Sequence, residues 1–115
     1  MLSISERLQN QDKAGILIVN CHRKIVGFSP NLLSIWNVPE VIIKSLSDQL
    51  ALEFVSDQFD NPQLFLKNLT EIYEQTHLEI NEKVQLKDGR IIQRHSKPLC
   101  FNGVYAGRLW RFEQN

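Results

Sequence analysis

The last third of the chain, Leu78 to Phe112, constrains the fold more than any other stretch. The run LEINEKVQLK alternates almost strictly: Leu78, Ile80, Val84 and Leu86 fall on one side, and Glu79, Asn81, Lys83, Gln85 and Lys87 on the other. A strand turns successive side chains to opposite faces, so this pattern specifies a sheet with one covered face and one wetter face. Asp88-Gly89 and Asn102-Gly103 then mark two hairpin turns. Both dipeptides tolerate the positive φ that tight turns demand, because glycine has no Cβ to clash and Asp or Asn accepts the left-handed region. Three antiparallel strands in a meander follow, and the upstream chain must supply their cover.

Length and composition narrow the function classes. A chain of 115 residues makes one domain with one core. Its 13 basic residues balance 13 acidic ones, so no global field points to nucleic acid or to an anionic membrane. No apolar run approaches the roughly 20 residues that span a bilayer, and MLSISERLQNQDK is too polar for a signal peptide. The two cysteines, Cys21 and Cys100, make no disulfide framework; free thiols in a reducing cytoplasm are the simplest expectation.

Upstream of the meander the chain reads as a series of short elements. Residues 1–13 form a weakly amphipathic helical segment with Leu2, Ile4 and Leu8 on its apolar side, marginal alone in water. Ile16 to Val19 is a short, β-branched-rich apolar run and Ile25 to Phe28 its hairpin partner. Ser29-Pro30 starts a helix, with the hydroxyl as cap and the proline at the first helical position. Val38-Pro39 interrupts it, and a second helical piece, PEVIIKSL, follows. Ser47 caps DQLALEFVSDQF; Asn61-Pro62 opens QLFLKNLTEIYEQ, with the stripe Phe65, Leu69 and Ile72. The order strand, strand, helices, three strands gives an α+β fold: a five-stranded antiparallel sheet with short helices covering one face.

With two-residue turns, Leu86 pairs with Ile91, Val84 with Gln93 and Glu82 with His95; His95 then pairs with Trp110 and Gln93 with Phe112. That register puts Ile80, Val84, Leu86, Ile91, Leu99, Trp110 and Phe112 on the covered face, with Glu82, Gln93 and His95 among them. Buried polar groups need partners, so these three either satisfy one another or sit exposed at a sheet edge, the commoner arrangements, or address a ligand. One pairing counts against the register: Lys97 would face Arg108, like charge against like. The aromatics Phe28, Trp36, Phe54, Phe59 and Phe65 fill the core or line a cavity between helices and sheet.

GILIVNCHRKIVGFSP, NLLSIWNVPE with its Trp-x-x-Pro-Glu ending, LKDGRIIQRHSKPL and GRLWRF together resemble a PAS domain, from about Ala14 to the end. The resemblance implies residues 14–115 as the PAS unit and a sheet in which the Ile16 strand lies between the Ile25 strand and the one ending at Phe112. It implies a sensory input module, as in sensor histidine kinases, that binds a small ligand or transmits state through a dimer. Kinase or cyclase activity would reside in another domain, in the same chain or a partner, and none is expected here. The candidate pocket is Phe28, Trp36, Phe54, Phe59, Phe65, Leu69, Glu82, Gln93, His95 and Trp110. Asn20-Cys21 does not match the Asn-Cys-Arg-Phe helix motif of flavin-binding members, and lone His77 near a helix end suits dipole compensation better than haem. Neither cofactor is expected. The candidate homodimer interface joins Leu2, Ile4 and Leu8 to Ile92, Tyr105 and Leu109 on the outer sheet face, rimmed by Arg90, Arg94 and Arg111. The alternatives are a ligand-free protein-interaction domain and, behind it, a small enzyme using Glu82 and His95 as an acid–base pair.

Overall fold

A computed structural model describes residues 13–45 and 47–115. Two strands, β1 (Gly15–Asn20) and β2 (Ile25–Phe28), precede four helices: α1 (Pro30–Trp36), α2 (Glu40–Lys44), α3 (Asp48–Ser56) and α4 (Pro62–Glu74). Strands β3 (Ile80–Gln85), β4 (Ile91–Phe101) and β5 (Val104–Gln114) complete one antiparallel sheet in the order β2-β1-β5-β4-β3. The strand from Gly15 thus lies between β2 and the strand containing Phe112, as expected. The N-terminal segment with Leu2, Ile4 and Leu8 lies outside the described residues.

The helix starts follow from local chemistry. Ser47 Oγ accepts from Leu50 N at 3.2 Å and Asn61 Oδ1 from Leu64 N at 3.1 Å, each relieving a donor that the first helical turn leaves unpaired. Ser29 does not cap α1 through its side chain. Its hydroxyl instead accepts from Ile16 N at 2.9 Å while its own N–H donates to Ile16 O, stitching the end of β2 to β1. Asn37, in the left-handed region at φ 52°, ends α1.

The helices cover one sheet face. Leu32, Ile35 and Trp36 of α1 and Ile72 of α4 are buried against Leu86, Ile92, Trp110 and Phe112. Leu86, Trp110 and Phe112 are where alternation places them, but Ile92, 0 % exposed, has replaced Ile91, which is exposed. The observed pairs are Val84↔Ile92, Glu82↔Arg94 and Arg94↔Phe112, one residue away from the two-residue-turn register.

Two local devices cause the slip. The first hairpin closes on Leu86 and Arg90, with Leu86 N donating to Arg90 O and Gly89 N to Leu86 O, so Lys87-Asp88-Gly89 is a three-residue loop. Gly89 sits at φ 93°, the conformation that follows a type I turn in such loops. The second device lies in β5. The Asn102-Gly103 turn pairs Phe101 with Val104 and Cys100 with Tyr105, as a two-residue turn requires, but Leu99 then pairs with Gly107. Ala106 is the extra residue of a bulge. A Cβ on Gly107 would stand 2.0 Å from Val19 O, so only glycine lets β5 approach β1 there. Lys97 consequently faces Leu109 and Arg108 faces Pro98, which removes the like-charge pair.

Candidate functional site

Between the helices and the sheet lies a cavity of about 220 Å³. Trp36 from α1, Phe65, Leu69 and Tyr73 from α4, and Phe59 between α3 and α4 wall it; Leu17, Val19, Trp110 and Phe112 form its floor. The aromatic rings pack on one another: Phe59 and Phe65 stack with centroids 4.1 Å apart, and Trp36 meets Phe112 edge-on at 5.2 Å. Such pairs add about 0.5–1.5 kcal/mol beyond their area burial and hold the walls in place.

The polar groups concentrate near Trp110. Tyr73 Oη accepts from Trp110 Nε1 at 3.0 Å, and burial pushes the Tyr73 phenol above its ordinary pKa of 10.0, so it keeps its proton at neutral pH. The Arg23 guanidinium stands 5.0 Å above the Tyr73 ring, and that of Arg94 6.0 Å from the Trp110 ring centre. Arg94 is 3 % exposed; its Nε and Nη2 donate to Glu82 Oε1, the former at 2.7 Å. Deeper still, Arg108 is 0 % exposed and donates to Ser96 Oγ at 2.7 Å, Gln75 O at 3.2 Å and Leu78 O. Gln75 closes α4, so the negative end of that helix dipole faces the guanidinium.

Of the residues expected in the pocket, Trp36, Phe59, Phe65, Leu69 and Trp110 do line it. Phe28 lines a separate groove with Val26, Ile42 and Ile43, and Phe54 is half-buried off the cavity wall. Glu82 is on the helix-covered side but reaches the cavity only through Arg94. The one-residue slip turns Gln93 and His95 to the outer face, where Gln93 donates to Asn81 and exposed His95 lies opposite Asn81 and Arg111. The Glu82–His95 pair therefore does not form, and the acid–base reading loses its geometry. The same slip removes Ile92 and Arg94 from the outer surface and buries them. Beyond the bulge, Tyr105 stands near enough to Tyr73 to oppose its ionisation, on the helix side and not at the outer face. Leu109 keeps its expected outer position, half-buried and opposite Ile18 and Lys97.

Tyr73 and Arg94 are the functional candidates that sequence reasoning missed. Tyr73 is one helical turn beyond Leu69 on the same stripe, a signal available in the spacing. Arg94 was legible only with the correct register. Among the described residues no cluster of three or more His, Cys, Asp or Glu could hold a metal ion, and no helix is long and apolar enough to cross a membrane.

Comparison with known proteins places this architecture. No family model and no curated protein matches the sequence. Solved structures do match. The sensor region of a sensor histidine kinase superposes with a TM-score of 0.66 at 12% identity, covering 87% of this chain and 38% of that one. This chain thus spans well under half of that structure. A domain of a putative light and redox sensing histidine kinase from Haloarcula marismortui gives 0.61 at 9% identity, covering 96% of both chains. The PAS domain of a LuxR-family transcriptional regulator from Burkholderia thailandensis, in complex with ethanol, gives 0.55 at 11% identity, covering 98% of this chain and 97% of that one. The strand order, the helical cover and these superpositions agree: the chain has the fold of a PAS domain.

Proposed function

We propose that this chain is a sensory module that binds a small molecule in its cavity and reports the occupancy to a kinase or cyclase domain, in the same chain or a partner. The observation that carries this reading is the cavity itself. The cavity opens to solvent and is lined mainly by apolar and aromatic side chains, so a ligand that covers this surface removes it from water at a gain of about 25 cal/mol per Å². The Burkholderia PAS domain in complex with ethanol supports small-molecule binding by this fold. Part of the cavity floor, Trp110 and Phe112, lies on β5, and a ligand-dependent shift there would pass along the strand toward Gln114. The exposed thiols Cys21 and Cys100 suit a reducing cytoplasm.

The test is a thermal-shift screen of small polar and aromatic compounds against the wild-type chain and a cavity-filled Leu69→Trp variant. Stabilisation of the wild type that the filled variant lacks supports sensing; equal responses, or none, refute it.

A second reading, protein interaction, is favoured by Phe101 and Val104, 74 % and 67 % exposed at the tip of the β4–β5 hairpin. We propose homodimerisation through the outer face, now composed of Ile18, Leu99 and Leu109 with that tip, together with Leu2, Ile4 and Leu8. Light scattering at micromolar concentration should find a dimer that Leu109→Glu disrupts; a monomeric wild type would refute it.

A further inference from the structure

We infer that the cavity is built for a small carboxylate with an apolar body, no larger than one ring and a short arm. This inference rests on the ligand-binding reading above and names its ligand class. Hydrogen-bond capacity supplies the first argument. Tyr73 Oη already accepts from Trp110 Nε1, and its own proton has no acceptor among the described residues. Thr70, also on the wall, spends its proton on Leu66 O. Arg94 uses Nε and Nη2 on Glu82, while its Nη1 makes no hydrogen bond among the described residues. A guanidinium presents five donors and no acceptor, so one carboxylate does not exhaust it. The cavity lining therefore carries an O–H and an N–H donor, each on a residue that contacts Trp110, and a matching ligand must bring acceptors.

Charge supplies the second argument. Arg23 and Arg94 both line the cavity, whereas Asp48, the one carboxylate among its described lining residues, already accepts from Ile25 N at 2.8 Å and pairs with Lys24 at 3.7 Å. Glu82 offsets part of the Arg94 charge but is 43 % exposed, and water weakens that offset. An anion beside Trp110 would meet the buried Arg94 guanidinium, where charge-assisted hydrogen bonds are strong, with a weaker, water-screened attraction from exposed Arg23. Size is the third argument. About 150 Å³ of apolar cavity accommodates a benzene-sized molecule, so 220 Å³ leaves room for a carboxyl group on a short arm. The rings of Trp36, Phe59, Phe65 and Phe112 would receive the body.

Both tryptophans of the chain, Trp36 and Trp110, line the cavity, so intrinsic fluorescence reads its occupancy. The experiment titrates the full chain at pH 7 with benzoate, phenylacetate and hexanoate, and with benzyl alcohol, 2-phenylethanol and 1-hexanol as their neutral counterparts. In at least one pair the acid should bind roughly tenfold or more tightly than its alcohol. Arg94→Gln should bring that ratio close to one by weakening the acid far more than the alcohol. Tyr73→Phe, which keeps the ring and loses only the hydroxyl, should lower the acid's affinity in the same sense and serves if Arg94→Gln does not fold. Alcohols binding as tightly as acids, or a ratio indifferent to both variants, would overturn the carboxylate inference and leave the cavity reading standing. No binding by any of the six compounds at millimolar concentration would overturn both.

Discussion

Arg108 is a fully buried cation with no carboxylate partner among the described residues, and replacing it separates the forces that hold it there. Its partners are Ser96 Oγ, Gln75 O and Leu78 O, and its Nε has none among the described residues. Gln75 O also receives Leu78 N at 3.0 Å, so losing the guanidinium orphans chiefly Leu78 O and Ser96 Oγ. Each orphaned group costs about 1–3 kcal/mol, against which the burial cost of the charge itself is recovered. Arg108→Ala adds a void, for which we expect a net loss of about 3 kcal/mol. Arg108→Met fills most of that space and should lose only about 1 kcal/mol. Arg108→Lys keeps the charge but replaces the fork by a point donor that cannot reach strand and helix end together, so it should lose at least as much as alanine. Urea unfolding followed by tryptophan fluorescence measures all three, with the alanine midpoint falling by about 2 M at a slope typical of small domains. A lysine variant as stable as wild type would show that charge against the α4 terminus is sufficient and would refute the fork argument. A methionine variant more stable than wild type would show that desolvation outweighs every bond Arg108 makes.

Gly107→Ala should be the most damaging small substitution, about 4 kcal/mol or more in the same assay, because its Cβ would lie 2.0 Å from Val19 O. The Glu82–Arg94 pair is half-exposed on the carboxylate side, so a double-mutant cycle with Glu82→Gln and Arg94→Gln should give a coupling of only about 1 kcal/mol that shrinks with salt. Asp88 accepts from the backbone N–H of Arg90 and then from its side chain, and these hold its carboxyl below the ordinary 3.8. Its folded pKa is depressed, so its contribution is present above the unfolded pKa and is lost as pH falls through the folded value; Asp88→Asn should flatten stability against pH below about 4, and an NMR titration should find the Asp88 midpoint below 3.8. Cys21 and Cys100 are exposed free thiols, so both should react with a thiol reagent in the native protein without reductant or denaturant.

Period-two alternation in LEINEKVQLK fixed which side of β3 is covered, and Ser47 and Asn61-Pro62 marked helix starts that the structure keeps. These signals are local, carried by groups within a turn or a strand pair. Register is not local in that sense. It depended on whether Asp88-Gly89 closed a two- or a three-residue loop and on one extra residue at Ala106, and neither is visible as a change in hydrophobic pattern. Each face of β4 opens with an isoleucine, Ile91 on one and Ile92 on the other, so hydrophobicity alone scored either register alike. The clash of Lys97 with Arg108 was the discriminating signal, because two cations cannot share a central pair cheaply. Following it to the one-residue slip yields Arg94 inside and His95 outside. The apolar half of the cavity was legible because Trp36, Phe59, Phe65, Leu69 and Trp110 suit an interior in any register. Its polar half was not, since that half depends on which strand neighbours meet.

The position of β5 bears on how this chain acquires its structure. The strand at the middle of the sheet follows every other element in sequence, and its ladder with β1 joins Gly15 to Phe112, nearly a chain length apart. Until β5 docks, the β1–β2 and β3–β4 hairpins have no common partner, and each exposes an open edge ready to pair with a neighbouring molecule. Loop closure over that distance comes before most of the contacts that reward it, so folding should be slow for a domain of this size. Loss of the last dozen residues would not trim the domain but divide its sheet into two unconnected hairpins.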